Sequence, residues 1–178
     1  LDANTTASQN TAVGAYSATT NTTGTANVAV GYKSLSLNET GSHNTAIGLE
    51  ALQANTTASN NTAVGSRALE ANTTGHSNTA VGYLALDANT TADRNVAIGV
   101  NALGACNNDD NTAVGWEAMK VATTATDSVA IGKQALVAVT TGSYNTAIGL
   151  NAMDNLTTGS HHVAIGYVAL RSLTTGTF

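Results

Sequence analysis

Residues 78–94 read Asn-Thr-Ala-Val-Gly-Tyr-Leu-Ala-Leu-Asp-Ala-Asn-Thr-Thr-Ala-Asp-Arg, and the whole chain is built from this unit. Near-copies open at Asn10, Asn27, Asn44, Asn61, Asn78, Asn95, Asn111, Ser128, Asn145 and His162. Every step is 17 residues except the one from Asn95 to Asn111, which is 16. Residues 1–9 are the tail of one further copy. A fixed short period is the signature of a solenoid, in which each turn touches only its neighbours. Positions within the unit are numbered 1 to 17 from Asn78.

Position 5 is Gly in all ten copies, among them Gly48, Gly65, Gly82, Gly99, Gly115 and Gly132. Such regularity points to a backbone with positive φ or no room for a side chain. Position 3 is always Ala, and position 4 is always Val or Ile, as at Val64, Val81 and Ile98. Position 2 is Thr or Val. Positions 2–5 therefore read as a short strand with Val/Ile on one face and Ala/Gly on the other. Position 9 is Leu or Met in nearly every copy, as at Leu52, Leu69, Leu86 and Leu103. Positions 6–10 are expected to form a second strand, with a short helical turn as the alternative. Positions 7 and 10 vary freely, from Lys33 to Glu50 and from Asp87 to Lys120, and are expected to face water.

Position 12 runs from Asn4, Asn21, Asn38, Asn55, Asn72 and Asn89 to Cys106, Ala122, Val139, Leu156 and Leu173. A site that takes Asn in one half and Leu in the other is expected inside or at an interface. Stacked Asn side chains can hydrogen-bond along a ladder. Thr-Thr at positions 13 and 14, followed by Gly or Ala, closes the coil as a turn. Coils stacked about 4.8 Å apart would make a rod of roughly 50 Å.

Composition narrows the function. The chain has 178 residues, 10% of them charged and 4% aromatic, with no proline. That mix resembles a low-complexity linker, but a solvated linker has no reason to hold Val or Ile at one phase. The formal net charge is −5 and there is no basic stripe, which argues against a nucleic-acid partner. No stretch approaches 18 apolar residues, so no membrane insertion is expected. The single Cys106 excludes an internal disulfide framework. One solenoid domain is expected over 1–178. The chain enters at position 9 without a capping repeat, so it is expected to be an interior piece of a longer fibre.

Asp127-Ser128-Val129-Ala130-Ile131-Gly132, echoed by Asn95-Val96-Ala97-Ile98-Gly99 and His162-Val163-Ala164-Ile165-Gly166, resembles a known motif. It is similar to the head (haemagglutinin-type) repeats of YadA-like trimeric autotransporter adhesins. The Asn-Thr-Ala-Val-Gly-Tyr form also resembles repeats of phage tail fibres and related surface fibres. The resemblance spans essentially the whole chain. It implies an all-β, left-handed parallel β-roll, one coil per repeat, with three chains side by side as a homotrimer. It also implies an extracellular place, on a virion tail fibre or a bacterial cell surface, and attachment to a host glycan or protein receptor. This unit is longer than that family's commonest repeat, by residues around position 9 and the Thr-Thr turn.

The physics of the unit agrees with trimerisation. Positions 4 and 9 both stay apolar although they lie on different faces. A lone rod that buries one would expose the other as a long stripe, and such stripes mark interfaces.

Candidate chemistry is thin. No Ser-His-Asp or Cys-His arrangement recurs at one phase, so no catalytic residues, cofactor or enzyme activity are expected. Asp93, Asp109, Asp110 and Asp127 fall near one phase on neighbouring coils and could offer oxygens to Ca²⁺, but the simpler reading is a one-residue deletion repaired by turn-forming Asn and Asp. No metal site is expected. His43, His161 and His162 sit at positions 17, 17 and 1 and read as turn histidines. Tyr32, Tyr83, Trp116 and Tyr167 share position 6 and could stack on sugars, shield the Gly bend, or fill a seam between chains. The Asn-x-Thr triplets at Asn21, Asn55, Asn72 and Asn89 read as turn chemistry. Adhesive fibre segment is the leading expectation. The alternative is an ice-binding β-solenoid using the regular Thr columns at Thr56, Thr57, Thr73, Thr74, Thr90 and Thr91.

Overall fold

The computed structural model describes residues 3–176; residues 1–2 of the partial opening copy and 177–178 of the last lie outside the described residues. Ten three-residue strands follow in chain order: β1 (Thr11–Val13), β2 (Val28–Val30), β3 (Thr45–Ile47), β4 (Thr62–Val64), β5 (Thr79–Val81), β6 (Val96–Ile98), β7 (Thr112–Val114), β8 (Val129–Ile131), β9 (Thr146–Ile148) and β10 (Val163–Ile165). They pair in that same order as a single parallel sheet. The register follows the repeat, with Thr79 opposite Val96, Ala80 opposite Ala97 and Val81 opposite Ile98. The chain is an all-β solenoid with one strand per coil.

Strand alternation places Ala of position 3 inward, where Ala80 and Ala97 are fully buried. Positions 2 and 4 then point outward. A methyl group is what the narrow coil admits on this side, because Leu of position 9 fills the interior from the other. Leu52, Leu69, Leu86 and Leu103 are all 0% exposed.

Positions 6–10 correct the sequence-based expectation. Neither a strand nor a helix forms there among the described residues; positions 6–11 are continuous turn. Two tight turns close it in the coil of Asn78. The Ala85 amide donates to the Gly82 carbonyl at 3.4 Å, and the Asn89 amide to the Leu86 carbonyl at 3.3 Å. Leu84 and Leu86 adopt the left-handed region, at φ 52° and 53°, and the same two positions do so in every coil. This path lets the consecutive residues Ala85 and Leu86 both point inward, which a strand cannot do. A left-handed residue costs about 1–2 kcal/mol. Burying a leucine side chain returns about 1.5–3 kcal/mol. Backbone bonds between coils hold the turn, such as Leu86 N–H to the Ala102 carbonyl at 3.0 Å.

Gly at position 5 answers both demands raised by its regularity. Gly82 sits at φ 138°, and a Cβ built on it would lie 2.6 Å from the Gly99 carbonyl oxygen. The glycines of successive coils stack backbone on backbone.

The position-12 ladder forms as expected. Asn38 Nδ2 donates to Asn21 Oδ1 at 2.7 Å, Asn55 Nδ2 to Asn38 Oδ1 at 2.7 Å, Asn72 Nδ2 to Asn55 Oδ1 at 3.1 Å, and Asn89 Nδ2 to Asn72 Oδ1 at 2.8 Å. Beyond Asn89 the column continues as Cys106, Ala122, Val139 and Leu156, all fully buried, so hydrogen bonding gives way to apolar packing. Asn55→Ala is expected to orphan Asn38 Oδ1 and leave one Asn72 Nδ2 proton without its acceptor. It should lower stability by about 1–3 kcal/mol, read as a lower thermal midpoint by circular dichroism. An unchanged midpoint would mean that the ladder carries no weight.

A second ladder, at position 1, was not anticipated. Asn61 Oδ1 accepts from the Asn78 amide at 2.9 Å, while Asn61 Nδ2 donates to the Gly75 carbonyl at 2.8 Å. The side chain thus ties Asn78 of the next coil to Gly75 at the far end of its own. A third runs along position 16, where Ser59 Oγ accepts from Ser42 N–H at 3.0 Å and Asp93 Oδ1 accepts from His76 N–H at 2.6 Å.

The 16-residue coil absorbs its deletion in the bend after Cys106. In several other coils the amides of positions 13 and 14 both donate to the position-13 carbonyl of the next coil, as Thr73 and Thr74 do to Thr90. Here the Asn107 side chain stands in for that carbonyl. Its Oδ1 accepts from Thr90 N–H at 2.9 Å and Thr91 N–H at 3.1 Å.

Candidate interaction face

The outward side of the sheet carries the chain's most continuous apolar surface. Position 4 contributes Val or Ile from every strand, with Ile47, Ile98 and Ile131 each 39% exposed and Val64 and Val81 half-buried. Immediately past the glycine bend, position 6 adds Tyr32, Leu49, Tyr83, Val100, Trp116 and Leu150, all exposed. Position 2 fills the other flank with half-buried Thr or Val, as at Thr79 and Val96. Gly48, Gly65, Gly82, Gly99, Gly115 and Gly132 turn the chain between the two exposed columns. Ten ranks at about 4.8 Å, each roughly 13 Å wide, give a face of roughly 600 Å². That is at the top of the range a soluble monomer leaves bare.

Charge lies mostly beside this face; Lys133, with Ser66 a polar exception at position 6, is the one charge on it. Arg67 and Glu70 pair at 2.6 Å, as do Lys120 and Glu117. These are positions 7 and 10, which sequence variability placed in water; in the fold most of them are half-buried, and Ser36 and Asp154 at position 10 are buried, since the turn folds them against neighbouring coils. Hydrogen bonding to Lys120 holds the Glu117 carboxyl below its ordinary range. Lys33 Nζ lies 5.4 Å from the Tyr32 ring centre and Lys133 Nζ 4.9 Å from that of Trp116, so cations cap the aromatic column at two points. An apolar centre with a charged rim is the anatomy of a protein interface.

The other sequence candidates resolve locally. Asp93, Asp109 and Asp110 gather around Arg94, at 3.5, 3.3 and 2.7 Å. Hydrogen bonding to that guanidinium lowers the Asp110 pKa, and Asp110 in turn raises that of Arg94. Asp127 is exposed on a later coil. Among the described residues no three His, Cys, Asp or Glu side chains are grouped to hold a metal ion, and there is no pocket. His43 and His161 are exposed, and His161 rests against Tyr144 at 4.9 Å between ring centres. His162 is buried, with Nε2 3.0 Å from the Gly176 carbonyl oxygen. Burial raises the Cys106 thiol pKa. No helix among the described residues is long and apolar enough to cross a membrane.

The two Thr columns differ. At position 13 the hydroxyl is spent within the rod: Thr73 Oγ1 donates to the Thr90 carbonyl at 2.9 Å and Thr56 Oγ1 to that of Thr73 at 3.2 Å. At position 14, Thr57, Thr74 and Thr91 are exposed.

In comparisons with known proteins, no family model, no curated protein and no solved structure matches the chain.

Proposed function

We propose that the chain is a structural and adhesive segment of an extracellular homotrimeric fibre, on a phage tail or a bacterial surface. The observation that carries this reading is the unbroken Val/Ile column of position 4 beside the position-6 column, aromatic or aliphatic in every coil but those of Ser66 and Lys133. Two further copies of the same chain are the occupants that suit it. A face of roughly 600 Å² compares with about 800 Å² per partner in an ordinary stable interface. Identical repeats also present identical columns, so copies meet in register over the whole length, and closed symmetry leaves no stripe exposed. The rod's part in adhesion is mechanical. Ladders of backbone and Asn bonds make it stiff, and three chains multiply weak contacts with a host glycan or protein receptor into avidity.

The test places charges on the face without touching the core. Ile98→Glu with Ile131→Glu leaves each carboxylate in water in a single rod, but buries it in a trimer. A buried unpaired charge costs several kcal/mol, so association should weaken by about 1,000-fold or more. Sedimentation should show folded single rods with an unchanged circular dichroism spectrum. A variant that still assembles would remove this face from the interface. If the parent rod itself stays single, the exposed position-14 threonines return as a candidate ice-binding column, with thermal hysteresis as the readout.

A further inference from the structure

The Asn-x-Thr triplets of position 12 carry a consequence for how the chain can be made. Asn21, Asn55, Asn72 and Asn89 are followed by Thr-Thr, and Asn38 by Glu-Thr, so these five fit the N-glycosylation acceptor pattern; Asn4, the sixth match at position 12, is exposed and serves as a control. All five are 0% exposed. In four of them the amide nitrogen has both its protons engaged. Asn38 Nδ2 donates to Asn21 Oδ1 at 2.7 Å and to the Gly41 carbonyl at 2.9 Å, and Asn55 Nδ2 donates to Asn38 Oδ1 at 2.7 Å and to the Ala58 carbonyl at 3.0 Å. Asn72 and Asn89 repeat the pattern.

We propose that these asparagines are sugar-acceptor sites in the unfolded chain only, and that a sugar placed there bars the solenoid from closing. In glycosylation, Nδ2 attacks the anomeric carbon of a lipid-pyrophosphate-linked oligosaccharide. The N–C bond forms, the C–O bond to pyrophosphate breaks, Nδ2 gives up one proton to a base on the transferase, and the lipid pyrophosphate leaves. One of the two ladder protons is thereby replaced by a pyranose ring, at a place with no solvent space. The loss repeats from coil to coil, because each Asn is donor to one neighbour and acceptor for the next. In the folded rod the same amides are out of an enzyme's reach, so the order of folding and sugar transfer decides the outcome.

The chain contains its own controls. Asn60-Asn61-Thr62 and Asn155-Leu156-Thr157 fit the same pattern. Asn60 and Asn155 are exposed, so sugars there stay in solvent. The inference rests on the fold and not on the trimer.

The experiment sends the whole chain through a eukaryotic secretory pathway and maps glycan occupancy of each Asn by peptide mass spectrometry, in soluble and insoluble fractions. The soluble, protease-resistant rods should carry sugar at Asn60 and Asn155 and none at Asn38, Asn55 or Asn72. Chains occupied at any of the five buried asparagines should collect in the insoluble fraction. Replacing the exposed threonines, with Thr23→Val, Thr40→Val, Thr57→Val, Thr74→Val and Thr91→Val together, removes the acceptor pattern and leaves the ladder intact. Soluble secreted yield should then rise several-fold, while parent and variant made in bacterial cytosol stay equally soluble. Soluble rods bearing sugar at Asn38, Asn55 or Asn72 would overturn the inference. The five buried sites empty in both fractions would overturn it too.

Discussion

Leu86→Asp is expected to leave no folded rod. Leu86 is fully buried, one coil away from Leu69 and Leu103, with only alanines and the position-12 column as company. The substitution removes the largest buried side chain of its coil, which by itself costs about 2–5 kcal/mol. It then places a carboxylate where no partner can reach it, and the group must either desolvate or protonate at further cost. Because each coil is held only by the two beside it, the defect interrupts the stack and does not stay local. Circular dichroism should lose the β signal, and limited proteolysis should digest the chain at once. Leu37→Asp is the matched control, because Leu37 at position 11 is 48% exposed. That variant should fold within about 0.5 kcal/mol of the parent. A folded Leu86→Asp rod would mean that position 9 is not the core.

Gly99→Val should be nearly as damaging for a different reason. Gly99 adopts φ 135°, and any Cβ there would lie 2.6 Å from the Gly115 carbonyl carbon. No rotamer relieves the contact, since the obstacle is backbone of the next coil. A β-branched residue also avoids that φ region, adding strain on the order of 1–3 kcal/mol before the clash. The strands on either side, β6 and β7, must part to make room. The expected readout is a drop in the thermal midpoint large enough to abolish cooperative unfolding of the rod. Gly104 offers the contrast. It sits at position 10 with its nearest atoms 3.5 Å from a built Cβ. Gly104→Ala should therefore be neutral, or gain about 0.4–1 kcal/mol through the unfolded chain. Equal tolerance at both sites would contradict the stacked-glycine spine.

What the sequence made legible is what the period imposes. Gly at position 5, Ala at 3 and Leu at 9 are each forced by a single tight place that recurs in every coil, so repetition reveals them. The Asn-to-Leu drift of position 12 was readable for the same reason, because only a buried column trades hydrogen bonds for apolar packing. The turn over positions 6–11 was not readable. Leu84, Leu86, Arg67 and Glu50 are left-handed in the fold, yet nothing in a leucine, arginine or glutamate side chain favours that conformation. Stacking against neighbouring coils imposes it, and local propensity has no term for that. The position-1 ladder was hidden differently. Nothing in the sequence singles out Asn61 or Asn78, and their pair of hydrogen bonds exists only once coils are stacked. At the outer face, the apolar character of position 4 was visible, whereas its join with the position-6 column depends on the glycine bend.

The native mass of the parent chain, by light scattering on a size-exclusion column, tests the central claim most directly. The proposed homotrimer predicts a particle of three times the 17.8 kDa chain mass. A stable species at 17.8 kDa, unchanged as concentration rises, would contradict it.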